Sequence, residues 1–324
     1  MSPRMAADLT RVLVNGWFWG QETTGSGQYV QQLAQHLPQV APAATWGLVT
    51  PRPLAAARLS SPKPADAPAG WQIIVAAPPP WLRSANLSKL WFEQIGFSRA
   101  CRQWQADLAH VPYWAAPLWA PCPVVVTIHD LIPLLLPAYR GGLPQRAYTW
   151  LVSRSAQRAR LVLTDSLASQ RDIVAHLRIP AARVRVTYLA PGAHFQRVTE
   201  PARLAAVRAR YQLPARFVLY MGGFDTRKNV GAVLEAFARA VQQQALAPDV
   251  MLVIAGRLPA QDSAFAPDPR PLAASLGIEA RVVFTGWVDE TDKPALYSLA
   301  DVFVFPSLYE GFGLPPLEAL ACGG

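Results

Sequence analysis

Cysteine is scarce in this chain, and what there is forms no pattern. Cys101, Cys122 and Cys322 are an odd number at wide spacing. That excludes a zinc framework and a disulfide scaffold, fits a reducing cytosol, and leaves the thiols as small buried apolar residues. Acidic residues are also in deficit, with 21 Asp and Glu against 30 Lys and Arg, a formal charge of +9. The imbalance implies acidic partners, which could be phosphorylated small molecules, anionic lipid headgroups or nucleic acid. No basic run or RNA-binding signature accompanies it, so nucleic acid is not expected. No uninterrupted apolar run is present either. The first residues hold no long apolar core before Asp8, which argues against a secretory signal. The nearly uncharged stretch Leu108 to Ile128 is broken by prolines at 112, 117, 121 and 123 and ends in VVVTI. It reads as a loop plus a buried strand, because interior prolines strip a helix of its hydrogen bonds. The expectation is a cytoplasmic protein, either free or resting on the inner face of a membrane.

What is present is alternation. With 324 residues, 52% of them hydrophobic, the chain can bury a core in each of two domains. Apolar strand-like runs, each with a turn and in most cases an amphipathic helix, predict parallel sheets with helices on their faces. The first series is Arg11 to Asn15, Thr45 to Thr50, Gln72 to Val75, Val124 to Ile128, Leu161 to Thr164 and Val184 to Tyr188. The second is Phe217 to Met221, Val250 to Ala255, Arg281 to Thr285 and Val302 to Phe305. The fold class is therefore α/β, with a first domain at 1–196, a second at 197–324, and a Pro- and Ala-rich surface loop from Pro51 to Gly70. Two Rossmann-like units facing each other would place a ligand cleft between their strand ends.

Chemistry concentrates at strand ends. The stretch PSLYEGFGLPPLEALACGG carries Glu310 after an apolar strand and Glu318 in the first turn of a helix that Pro315 and Pro316 can open. Taken singly, Glu318 could only complement the positive helix end and Glu310 could be a solvated turn residue. Upstream, Phe217 to Met221 runs into GGFDTRKN and then a helical segment. Strand, glycine turn and helix start make an anion site: Asn229 can cap, while Arg227 and Lys228 supply charge that a diphosphate can bridge. The plain alternative is a solvated basic pair. Gly25 and Gly27 precede a helix whose apolar residues include Tyr29, Val30 and Leu33, and do not complete a dinucleotide fingerprint. His129 and Asp130 follow the VVVTI strand directly.

The composite of E-x7-E with the intervening GFG, the HDL-I-P run and the glycine turn with its basic pair closely resembles retaining family 4 glycosyltransferases of the GT-B fold, in the subgroup with HDLIP. The resemblance implies a retaining hexosyltransferase, leaning toward mannose, which moves a sugar from a nucleotide diphosphate sugar donor to a saccharide or lipid-linked acceptor. It implies that His129 and Glu310 approach the transferred sugar and that Arg227, Lys228, Gly25 and Gly27 border the diphosphate. Glu318 would accept from the ribose hydroxyls, with Gly311, Phe312 and Gly313 lining the ribose and sugar. Asp130, Ser166, Arg171, Gly256 and Val288 would edge the pocket, Asp130 by orienting its loop. Relatives often carry arginine where Gly223 stands, so phosphate neutralisation would rest on Arg227 and Lys228. No strand ends in Asp-x-Asp, so no catalytic metal and no cofactor beyond the donor is expected. The family normally runs on past an A-x-G-x-P-like turn, whose start Ala321, Cys322 and Gly323 match, so a C-terminally truncated second domain is expected. The alternatives are an inactive nucleotide-sugar-binding remnant and another GT-B enzyme such as a nucleotide-sugar epimerase. A basic segment, Leu143 to Arg160, with Arg146, Arg154, Arg158 and Arg160 among aromatic residues, could dock on anionic lipid or simply pack on its own domain.

Overall fold

The computed structural model describes residues 11–21, 24–54 and 67–324. The expectations for the first ten residues and for most of the Pro51 to Gly70 loop fall outside them. The chain divides into two compact units, Met1–Tyr188 and Leu189–Gly324. This division precedes the expected boundary at 196 because Phe195 is buried in the core of the second unit, 6.2 Å from the Tyr297 ring.

Among the described residues, the first unit holds seven parallel strands: β1 (Arg11–Asn15), β2 (Thr45–Thr50), β3 (Trp71–Val75), β4 (Leu108–Val111), β5 (Val124–Thr127), β6 (Leu161–Thr164) and β7 (Val184–Val186). Their order is β3-β2-β1-β4-β5-β6-β7, so the winding reverses between β1 and β4. Helix α1 (Gly25–Val40) connects β1 to β2. Helices α2 (Ala85–Trp91) and α3 (Phe97–Gln103), joined by a π-turn at Phe92–Gly96, precede β4. The short α4 (Ile132–Leu135) and long α5 (Leu143–Arg158) lie between β5 and β6, and α6 (Leu167–Leu177) leads to β7. Strand β4 corrects the loop expected from Leu108 onward. Its four residues, one of them histidine, carry too little apolar signal alone, and the flanking β1 and β5 supply both ladders. Leu13, Val49, Phe92, Phe97, Ile128 and Ile173 are buried together, each removal from water contributing roughly 1.5–3 kcal/mol.

The second unit holds a parallel sheet ordered β10-β9-β8-β11, from β8 (Arg216–Met221), β9 (Val250–Ala255), β10 (Val282–Gly286) and β11 (Val302–Val304). Helix α7 (Pro201–Arg210) leads into it, followed by α8 (Val230–Gln242), α9 (Pro269–Ser275), α10 (Lys293–Leu299) and α11 (Leu314–Ala321). One core joins Phe217, Leu219, Leu296 and Tyr297, and another joins Tyr220, Leu234, Leu252 and Ile254 across the opposite face. Residues alternate between these two layers, as a sheet covered on both faces requires. Here the winding reverses between β8 and β11, which makes the loops after those strands the walls of a crevice.

Among the described residues, no helix is long and apolar enough to cross a membrane. Helix α5 splits the aromatics of the basic segment: the Tyr148 hydroxyl bonds the buried Glu93 carboxylate at 2.9 and 3.1 Å, while Trp150 is exposed.

Candidate active site

In the first unit, parallel register brings two strand ends together. Thr127 pairs with Leu163, and the Ile128 amide donates to the Leu163 carbonyl, so the next residues on each strand, His129 and Asp165, become neighbours. His129 Nδ1 donates to Asp165 Oδ2 at 2.6 Å. The carboxylate is almost fully buried, and the imidazole keeps 24% of its surface. Burial disfavours the charged ring, but the Asp165 hydrogen bond and charge, with Asp130, outweigh it and raise the His129 pKa. Tyr29, on α1, meets the ring edge-on at 4.8 Å. Beneath, Thr127 Oγ1 lies 3.0 Å from His110 Nε2, and burial followed by the nearby His129 charge pushes His110 down to about 4. His110 is thus a neutral floor, and His129 the ring able to carry a proton.

The loop around this pair is fixed locally. Asp130 Oδ1 accepts from the Ile132 amide, closing the turn into α4. Ser166 caps α6 by accepting from the Ser169 amide, and Ser169 Oγ donates to the His129 carbonyl at 2.9 Å. Ser166 therefore acts on the pair through the backbone, while Arg171 sits on the exposed side of α6. Gly25 and Gly27 do not form a loop before α1. They lie in its first turn, where Thr24 accepts from the Gly27 amide. A Cβ at Gly27 would stand 2.0 Å from the Gln21 carbonyl oxygen, so close backbone approach requires glycine there. Asp165, Tyr29 and His110 were not singled out as functional in the sequence. Strand order was the missing information, since Asp165 becomes a partner of His129 only once β5 and β6 are adjacent.

In the second unit, the loops after β8 and β11 are tied together at the switch point. Arg227 Nη1 and Lys228 Nζ both reach Glu310 Oε1, at 2.7 and 2.6 Å. Arg227 also donates to the Tyr309 carbonyl at 2.9 Å, and the Leu308 amide donates to the Arg227 carbonyl at 2.8 Å. The three charged side chains retain only 12, 16 and 21% of their surface. Asn229 adopts φ +56°, and its side-chain amide donates to the Pro306 carbonyl instead of capping α8 as expected. The first-turn amides of α8 consequently lack a side-chain cap, leaving the positive end of a 13-residue helix beside the two cations. Gly256, at φ +150°, is held where a Cβ would lie 2.2 Å from the Gly222 carbonyl oxygen, which packs the turn after β9 against the turn after β8.

Glu318 stands apart from Glu310. It is the fifth residue of α11, one turn deeper than expected, because the helix starts at Leu314 on a left-handed Gly313 (φ +95°). Glu318 Oε2 accepts from the Tyr297 hydroxyl at 3.0 Å. Burial first, with Glu290 adding to it, raises the Glu318 pKa against the pull of Lys293 and Tyr297. Lys293 pairs with Glu290 at 2.6 Å. Tyr297 and Lys293, both on α10, escaped sequence reading because nothing local links them to α11. Gly311 is buried and Phe312 half-buried in the loop between the carboxylates. Val288 is buried in the core with Ala295 and Tyr297, so its side chain is packing and only its backbone could meet a ligand.

Comparison with known proteins agrees with this architecture. Residues 208–324 match the family described as Glycosyl transferases group 1, and residues 23–190 match Glycosyltransferase Family 4. The serotype-specific mannosyltransferase WbdA of Escherichia coli is 33% identical over 207 residues, covering 63% of this chain and 25% of WbdA. The O-antigen chain mannosyltransferase B of E. coli is 32% identical over 200 residues, 61% of this chain and 51% of that protein. The chain thus spans between a quarter and about half the length of these relatives. Among solved structures, sucrose-phosphate synthase from Thermosynechococcus elongatus superposes with a TM-score of 0.68 at 22% identity, covering 97% of this chain and 79% of that one. Anabaena HepE in complex with UDP gives 0.65 at 18% identity, with the same coverage of each chain. The two parallel α/β units are of the GT-B type. With more than half of its residues matched, the chain belongs to Glycosyltransferase Family 4.

Proposed function

We propose that this chain carries the machinery of a retaining hexosyltransferase, with a nucleotide diphosphate sugar as donor, a mannose-type hexose as the sugar, and a saccharide or lipid-linked hydroxyl as acceptor. The observation that carries the reading is the pair Arg227 and Lys228, deeply set beside an uncapped helix start at the switch point of the second sheet. That arrangement suits a diphosphate. The names of the E. coli relatives support a mannosyl group, and the UDP complex of the HepE structure supports a nucleoside diphosphate in a fold of this kind.

As the bond from the anomeric carbon to the diphosphate oxygen breaks, negative charge gathers on the leaving group, where Arg227, Lys228 and the α8 amides stabilise it. The acceptor oxygen bonds the anomeric carbon on the same face, and its proton passes to the departing phosphate oxygen. Glu318 holds the ribose hydroxyls, and Glu310 meets the sugar ring. His129, oriented by Asp165, donates to a sugar hydroxyl, so the cationic ring that Asp165 favours is the useful form. Charge neutralisation by protein cations leaves no step that calls for a metal. Docking on anionic lipid through Trp150, Arg146 and Arg154 is a separate proposal, and vesicle flotation of an R146A/R154A variant tests it.

The test of the whole reading is titration of the 324-residue chain with GDP-mannose, UDP-glucose and their diphosphates, followed by donor turnover. We expect one donor to bind and Lys228→Ala to weaken it at least tenfold. Absence of binding by every nucleotide sugar would overturn the reading.

A further inference from the structure

We propose that Glu310 is the resident counter-anion of the diphosphate site: it neutralises Arg227 and Lys228 while the site is empty, and an entering diphosphate displaces it. The inference rests on the donor reading above and adds a regulation of that same site. Both cations converge on one carboxylate oxygen, Oε1, at 2.7 and 2.6 Å, so a single atom occupies the point where their charge is focused. A bridging or terminal diphosphate oxygen needs that same point. Two cations this deeply set would repel each other without an anion between them, and Glu310 is the acidic side chain that reaches both. Asp225 lies 3.4 Å from Arg227 Nε and offers only partial relief.

The exchange requires a side-chain rotation and leaves the loop in place. Arg227 is tethered to the Tyr309 carbonyl and, through its own carbonyl, to the Leu308 amide, contacts that do not involve the carboxylate. Lys228 is further steadied over the Phe305 ring, its Nζ 5.3 Å from the centroid. The cations therefore stay where they are while the carboxylate leaves. A diphosphate brings more negative charge and more acceptor oxygens than one carboxylate, so it wins the competition at a reduced net affinity. Displacement frees Glu310 at the moment the donor arrives, and the released carboxylate becomes available to the sugar. Binding the donor and arming Glu310 are then one event.

The experiment is calorimetric titration with inorganic pyrophosphate, which carries no base or sugar, against the full chain and four variants. Glu310→Gln should bind pyrophosphate about five- to tenfold more tightly than wild type, while its donor turnover falls. Glu310→Asp, one methylene shorter and still charged, should bind with intermediate affinity. Unchanged or weaker pyrophosphate binding by a Glu310→Gln protein that melts within a few degrees of wild type would overturn the proposal. If Glu310→Gln does not fold, Glu310→Asp decides, and affinity at or below wild type overturns it. Arg227→Ala and Lys228→Ala separate the two ideas: if both bind pyrophosphate as well as wild type, the donor-site reading fails instead, and this inference falls with it.

Discussion

His129 Nδ1 and Asp165 Oδ2 are 2.6 Å apart at the adjoining ends of β5 and β6, and this bond sets His129 apart from the neighbouring His110 in its ability to carry charge. His110, within β4 and with no carboxylate among the groups that shift it, is pushed down to about 4. Replacing Asp165 with Asn should leave burial opposed only by the Asp130 charge and the Pro112 backbone contact, and so drop the His129 pKa below that of wild type. The rate against pH should lose its alkaline shoulder, with donor turnover at pH 7 down on the order of tenfold or more. The linkage sign follows. A histidine whose folded pKa is raised stabilises the fold fully below its unfolded pKa and loses that contribution as pH rises through the folded value. The stability gap between wild type and D165N should therefore be larger at pH 5.5 than at pH 9, as read by urea denaturation.

Glu93 provides a second titration. Its carboxyl is fully buried on the π-turn between α2 and α3, and burial, only partly offset by Lys89 at 3.6 Å and by Tyr148, pushes its pKa up to about 7. Below the unfolded pKa both states are protonated and there is no effect. Between there and pH 7 the unfolded chain ionises first, so stability falls as pH rises, by on the order of 3 kcal/mol in total. Glu93→Gln should flatten that part of the stability profile, and an unchanged slope would show that Glu93 is ionised when folded.

Gly256 tests the packing of the crevice floor. With a positive φ and a Cβ that would meet the Gly222 carbonyl oxygen at 2.2 Å, Gly256→Ala must move backbone. We expect a loss of about 2–4 kcal/mol in urea unfolding, together with weaker pyrophosphate binding, because Gly222 opens the turn that carries Arg227 and Lys228.

Tyr297→Phe removes the 3.0 Å hydroxyl donor to Glu318 and little else. A cost of about 1 kcal/mol in stability is expected. Donor KM should rise with kcat nearly unchanged, since Glu318 is read as holding the ribose. A fall in kcat at constant KM would place Glu318 at the reaction centre instead.

Much of this was legible in the residues themselves. Apolar runs bounded by glycine and proline located ten of the eleven strands among the described residues, because a strand buried on both faces must be almost continuously apolar. The local motifs likewise put His129, Arg227, Lys228 and Glu310 at strand ends, where backbone geometry alone aims side chains out of the sheet. Strand order was not legible, since it depends on which helices cross to which face and on contacts far apart in the chain. That order makes Asp165 the partner of His129, puts Glu310 between Arg227 and Lys228, and draws Glu318 away to Tyr297. Short β4 shows the same limit: four residues with one histidine hold too little propensity to declare a strand, and only neighbours on both sides make them one. Composition and periodicity determined the elements and the chemistry available, and long-range packing decided which charges meet.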